Sequence, residues 1–142
     1  NSREKDIVFS WDTMLDFDGE SAPYCMYGYA RGKSILRRAE GIDYSDADLS
    51  KAVSGDAYTL VKLINGFGDA VVCAAEKNEP FYVNRYVTSL VKAFNKFYNT
   101  NPIMRDDVDD ETKKARLAIV DATCTVIKSA LNLLGIDVVE SM

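Results

Sequence analysis

"DDETKKARLAIVDATCTVIKSALNLLG", residues 109–135, decides the fold class. Leu117, Val120, Cys124, Ile127, Leu131 and Leu134 recur at i, i+3, i+7, i+10, i+14 and i+17, the spacing of one apolar stripe along a long amphipathic helix. The ends agree with the interior. Asp109 or Asp110 stands where an N-cap carboxylate is wanted, acids fill the first turn, and Gly135 stands where a left-handed C-terminal cap is wanted. A helix of this kind owes its stability to burial of its stripe, so the rest of the chain must supply covering surfaces.

Working upstream, residues 80–98 read as a second long helix. Pro80 suits a first turn, Val83, Val87, Leu90, Val91 and Phe94 form its stripe, and "NTNP" at 99–102 ends it. Arg85, Ser89, Lys92, Lys96 and Asn99 line the other face at helical spacing. Residues 56–77 read as two shorter helices meeting near Gly66 and Gly68, and residues 10–15 as a capped turn or two. Strand-like alternation is scarce. The expected fold is all-α, a bundle of about five or six helices in one domain, for which 142 residues and 47% hydrophobic content suffice.

Charge is distributed unevenly. A formal charge of −5 argues on average against a nucleic-acid partner. Yet residues 21–39 hold Arg31, Lys33, Arg37 and Arg38, and residues 80–105 hold Arg85, Lys92, Lys96 and Arg105, without one carboxylate in either window. Segregation of this sort builds a basic face on an acidic protein.

Other chemistries find little support. The chain has no histidine, the commonest general base and metal ligand. Cys25, Cys73 and Cys124 are odd in number and widely spaced in apolar surroundings, which fits small core residues in a reducing compartment rather than disulfides or a zinc site. The Gly66–Phe67–Gly68 run lacks the preceding strand and third glycine of a dinucleotide loop and reads as a helix corner. "DYSDADLS" and "RDDVDDE" lack calcium-loop spacing and read as solvated linkers and caps. No signal peptide or membrane-length apolar run is present, and a first residue of Asn1 in place of Met is expected of a piece of a longer polypeptide.

The remaining stretch, "APYCMYGYARGKSILRR" at 22–38, carries the most distinctive composition. Wound as a helix, Ala22, Cys25, Tyr29, Gly32 and Leu36 fall within roughly 80° of one another and form the expected core face. Tyr24, Tyr27, Arg31 and Arg38 fall in a second sector about 60° wide on the far side. Two readings stay open. The tyrosines pack on the segment around Phe9, Trp11 and Phe17, or the rings and guanidinium groups together receive unstacked bases and phosphates of a single-stranded RNA loop.

The segment "DIVFSWDTMLDFDGESAPYCMYGYARGKSILRRA", residues 6–39, resembles the entry into the C-terminal anticodon-binding domain of arginyl-tRNA synthetases, the helical domain of the DALR type. Phe9, Trp11, Phe17, Gly19, Pro23, Tyr24, Tyr27 and Arg31 occupy the family's pattern, and "LVKAFNKFYNTNP", "KARLAIVDAT" and "NLLGIDVVESM" continue the likeness to the last residue. Cys25, Met26, Gly28, Tyr29 and Ser141 depart from the residues common there.

The resemblance implies recognition of the anticodon stem-loop of arginine tRNA during arginyl-tRNA aminoacylation. It implies that Tyr24, Tyr27, Arg31, Tyr98 and Met142 surround the splayed bases, with Arg37, Arg38, Lys92 and Lys96 as secondary phosphate contacts and Trp11 and Phe17 as packing. It also implies that residues 1–20 form the junction from a catalytic domain and residues 21–142 the bundle. Neither a catalytic residue nor a cofactor or metal site is expected in this chain; ATP and magnesium belong to the parent's catalytic domain. The expected setting is the cytoplasm, with arginine tRNA and that catalytic domain as partners and neither DNA nor membrane. The competing readings are a helical protein-interaction bundle and the anticodon domain of a related class I enzyme such as cysteinyl-tRNA synthetase.

Overall fold

In a computed structural model of the chain, the residues described are 8, 10–14, 21–52 and 54–141. They form α1 (Trp11–Met14), α2 (Ala22–Arg38), a 3-10 turn (Leu49–Ala52), α3 (Gly55–Asn65), α4 (Phe67–Lys77), α5 (Phe81–Thr100) and α6 (Asp110–Leu133). No strand occurs among the described residues, so the molecule is all-α as expected.

The helix over 110–133 begins and ends by the chemistry its sequence announces. The Asp109 carboxylate accepts the Thr112 N–H at 2.9 Å, and Asp110 and Glu111 occupy the first turn. At the other end Gly135 takes φ +74°, which lets the Ile136 N–H reach the Leu131 carbonyl at 3.0 Å and the Gly135 N–H reach the Asn132 carbonyl at 3.0 Å. Ile136 packs back on the core, and the chain reverses there. Leu117, Val120, Cys124, Ile127 and Leu131 are buried, while Leu134, at the cap itself, is half-buried.

Helix α5 buries all five residues of the expected stripe and adds Phe97. Asn101 ends it from inside the protein, its side-chain amide donating to the Phe97 carbonyl at 3.1 Å and to Thr100 Oγ1 at 2.9 Å. Helices α3 and α4 meet at Gly66 with a bend of 43°, the helix corner read from the two glycines. No single helix among the described residues is long and apolar enough to cross a membrane. The acids of the linkers close local turns: Asp43 Oδ1 accepts the Ser45 N–H and Asp48 Oδ1 the Ser50 N–H, each at 3.0 Å.

Helix α2 packs against both α5 and α6, and two glycines allow the close approach. A Cβ on Gly28 would lie 2.6 Å from Val91 Cγ1, and one on Gly32 would lie 2.3 Å from Cys124 Sγ and 3.6 Å from Phe94 Cζ. Two neighbours bury a wider arc than one. Gly28, Ala30 and Ile35 are therefore buried beside the expected Cys25, Tyr29 and Gly32, whereas Leu36 is half-buried and Ala22 exposed. Gly32→Ala should destabilise the fold by up to about 2.5 kcal/mol, since overpacking of about 1–3 kcal/mol outweighs a helix-propensity gain of roughly 0.5–1 kcal/mol. Denaturant unfolding of Gly32→Ala with and without Cys124→Ala checks the cause, because relief by the second change is expected and equal losses in both backgrounds refute the steric reading.

Candidate functional site

On the flank of α2 and the C-terminal half of α5, five polar and aromatic residues form one connected cluster. Arg31, near the middle of α2, places its guanidinium 4.9 Å from the centroid of the Tyr27 ring one turn earlier. The same group lies 5.3 Å from the Tyr98 centroid on α5. Its Nη1 donates to Asn95 Oδ1 at 2.6 Å, and Asn95 Nδ2 donates in turn to the Tyr24 hydroxyl at 3.0 Å. A cation held by two rings and an amide is fixed in position before any ligand arrives, which reduces the ordering cost of binding.

The tyrosines divide by exposure. Tyr27 is 41% and Tyr98 37% exposed, so both keep ring surface for a ligand. Tyr98 does not finish the core stripe of its helix; Phe97, fully buried, does that. Tyr24 differs from the outward position that a one-sided helix predicts. It is half-buried against the core in the α2–α5 seam, with its hydroxyl on Asn95, because α5 draws the buried arc of α2 around to meet it. Asn95 was not singled out in the sequence. Its signal was an amide next to Phe94 and one turn before Tyr98, within the apolar part of α5.

Tyr27, Arg31 and Tyr98 line a cavity of about 340 Å³, together with Ala30, Ser34, Ile35, Arg37, Arg38 and Ser141. Its residues come from α2, α5 and the far end of the chain. Beyond Gly135 the segment runs back beside α2 with Ile136 and Val138 half-buried and Asp137 and Val139 exposed, a period of two. Arg37 Nη1 donates to the Glu140 carbonyl at 2.8 Å, and Lys33 Nζ stands 3.8 Å from Glu140 Oε1. Arg37 thus anchors the segment that brings Ser141 to the cavity. Met142, with Phe9, Phe17 and Gly19 of the junction pattern, lies outside the described residues.

The secondary basic residues are not equivalent. Arg38 is exposed at the end of α2, at the cavity rim. Lys96 Nζ is 2.8 Å from Asp56 Oδ1, and Thr100 Oγ1 donates to the same carboxylate at 2.9 Å; these bonds hold the Asp56 pKa below the ordinary range. Lys92 is exposed on the same helix. Trp11, read as packing, is 68% exposed on α1, a helix of four residues and little more than one turn.

Two of the three cysteines are held as thiols by the core. Burial pushes the Cys124 thiol up to about 12 and raises Cys25 as well, so both remain protonated packing residues. Cys73 is half-buried on α4. Among the described residues no three of His, Cys, Asp and Glu converge.

Comparison with known proteins agrees with this architecture. The arginine–tRNA ligase of Clostridium botulinum strain Hall is 55% identical over 142 residues, all of this chain and 25% of that protein. The arginine–tRNA ligase of Clostridium kluyveri is 51% identical over 144 residues, again all of this chain and 25% of that one. The chain therefore spans about a quarter of the length of these relatives. Among solved structures, Thermus thermophilus arginyl-tRNA synthetase superposes with a TM-score of 0.88 at 30% identity, over 97% of this chain and 24% of that one. The Plasmodium falciparum arginyl-tRNA synthetase gives 0.85 at 26% identity, over 100% and 25%. A family model for the DALR anticodon binding domain matches residues 25–142. That match starts at Cys25, the first buried residue of α2, and takes in every later helix and the returning segment, and on that ground the chain belongs to the DALR anticodon-binding domain family.

Proposed function

We propose that this chain binds the anticodon stem-loop of arginine tRNA, as the tRNA-reading part of an arginine–tRNA ligase. Residues 1–20 then join it to a catalytic domain and residues 21–142 are the binding bundle, working in the cytoplasm. ATP and magnesium act in the catalytic domain, and this chain contributes neither ligand set nor nucleophile. The observation that carries the reading is the guanidinium of Arg31 held between the rings of Tyr27 and Tyr98 at the cavity. Single-stranded loops are read by stacking of splayed bases on rings and guanidinium planes with cations on the backbone, and the cluster offers each of these groups. The acid-free windows 21–39 and 80–105 supply the local positive field that the whole-chain charge of −5 conceals.

The test is binding of an arginine anticodon stem-loop and of a loop-scrambled control across a salt series. Tighter binding of the cognate RNA is expected, with log affinity falling linearly in log salt by roughly 0.7 per single-strand phosphate contact. Equal affinity for both RNAs, or affinity indifferent to salt, overturns the proposal and favours an apolar protein-binding face.

A further inference from the structure

Helix α4 buries the least of the longer helices. Seven of its eleven residues are apolar, yet none is buried, whereas α2, α3, α5 and α6 each bury two or more. Phe67 and Ala74 pack toward the core, and the Phe67 ring stands 5.7 Å from that of Tyr86 on α5. On the opposite side of α4, Gly68, Val72 and Ala75 lie within about 60° of one another. All three are exposed, Val72 at 56%. The exposed carboxylates of Asp69 and Glu76 run along one edge of this strip. A Cβ on Gly68 would meet nothing within 4 Å, and small side chains on either side of a valine let another backbone come close.

The point at which the chain enters the bundle indicates what covers the strip. Helices α2 and α5 run in the same direction: Cys25 bonds Thr88, a Cβ on Gly28 would meet Val91 and one on Gly32 would meet Phe94, and Ile35 and Arg38 share a cavity with Tyr98. Ser21, the N-cap of α2, therefore stands level with the N-terminal half of α5. In that same half Tyr86 holds the α3–α4 corner, its hydroxyl donating to the Leu63 carbonyl at 2.8 Å. The RNA cavity lies toward the other end, since Tyr86 and Tyr98 are separated by about 18 Å along α5. The chain makes up 25% of the length of its relatives, so most of such a polypeptide lies outside it. What precedes residue 21 arrives at the α4 end of the bundle. A strip on an eleven-residue helix, about 16 Å long, is small for a stable dimer. It suffices for two domains that one chain already holds together, where effective concentration takes the place of area.

We propose that the outer strip of α4 is a docking surface for the catalytic part of the same polypeptide, which meets Gly68, Val72 and Ala75 with an apolar patch and Asp69 and Glu76 with basic side chains. The inference rests on the reading of this chain as part of a ligase. It goes further in naming the face that fixes the bundle's orientation to the catalytic centre while the RNA cavity stays open.

The test uses the complete gene product containing this chain, with the photo-reactive p-benzoylphenylalanine in place of Val72 or, separately, of Ala75. Irradiation should give an intramolecular cross-link from each position to a peptide preceding residue 1, and none from the same group in place of Lys128, exposed on α6. Adding Val72→Arg should lower the yield from the Ala75 position about fivefold or more, the effect of losing one central packed contact. Cross-links confined to residues 1–142 overturn the proposal, as does a yield indifferent to Val72→Arg. A product that runs as a dimer on a denaturing gel also overturns it and assigns the strip to a second copy. Affinity for the arginine anticodon stem-loop, measured on the same protein, should be unchanged by Val72→Arg. Cross-linking as expected without affinity for the stem-loop leaves the docking surface standing and refutes the RNA-binding reading; affinity without cross-linking does the reverse.

Discussion

Phe94→Ala removes about 3–5 kcal/mol of stability, the range for truncating a buried phenylalanine where neighbouring helices cannot fully collapse. Phe94 has no exposed surface and lies where α5 meets α2, with its ring edge 3.6 Å from the position of a Cβ on Gly32. Gly28 already lets α2 lie close on α5, where a Cβ would meet Val91 Cγ1 at 2.6 Å, so little relaxation is left to fill the void. Against a total stability of roughly 5–15 kcal/mol for a domain, the loss approaches the margin of folding. It corresponds to a fall in thermal midpoint of roughly 10–20 °C. Tyr98→Ala provides the contrast, since that ring is 37% exposed and lines the cavity, and its removal should cost far less stability while weakening RNA binding. Calorimetry of the two variants decides; a loss below about 1 kcal/mol for Phe94→Ala would show that the α2–α5–α6 junction is looser than its packing implies.

Arg31→Ala carries the largest expected effect on binding, about 30-fold or more, because a charged hydrogen-bonding group and a stacking plane leave together, each worth about 1–3 kcal/mol and so at least about 2 kcal/mol in sum. The loss spreads through the cluster. Tyr27 and Tyr98 lose the cation between them, and Asn95 keeps only its bond to Tyr24. The slope of log affinity against log salt should flatten by roughly 0.7 if Arg31 meets a phosphate. Arg31→Lys separates the contributions: it restores charge and hence slope, but not the planar group that fills the space between two rings. Titration of the anticodon stem-loop at several salt concentrations gives both numbers. Unchanged affinity and slope with an intact fold would remove the cluster from the RNA surface.

Much of this arrangement is legible in the sequence where a helix has one neighbour. The stripes of α5 and α6 were readable because each repeats for several turns, and the caps at Asp109 and Gly135 because their chemistry is local. Helix α2 was harder. A single-face projection assigns Leu36 to the core and Tyr24 outward, but contact with both α5 and α6 moves the buried arc to include Gly28 and Ile35 and carries Tyr24 into the seam. Asn95 was invisible for a related reason: its role depends on Arg31 and Tyr24, which lie 64 and 71 residues away. Spacing reports which residues share a face and is silent on which face of another helix they meet. Arg37, expected as a secondary phosphate contact, donates instead to the Glu140 carbonyl, a partner 103 positions away that spacing along α2 could not reveal.

That anchor separates two properties that usually rise and fall together. The bond between Arg37 and Glu140 joins residues 103 positions apart, yet the helices that bring those positions close are held by the core, so opening it exposes only residues 136–141. The segment is expected at the low end of the free-energy scale for local opening, and the buried helices α5 and α6 at the high end, which amide hydrogen exchange would read directly. One edge of the cavity is therefore able to detach and return many times within the lifetime of a single folded molecule. Loss of that edge by proteolytic trimming is expected to leave the helices in place, less the contacts of Ile136 and Val138 with the core, and yet to present an incomplete cavity, a form of damage that a thermal-stability screen understates.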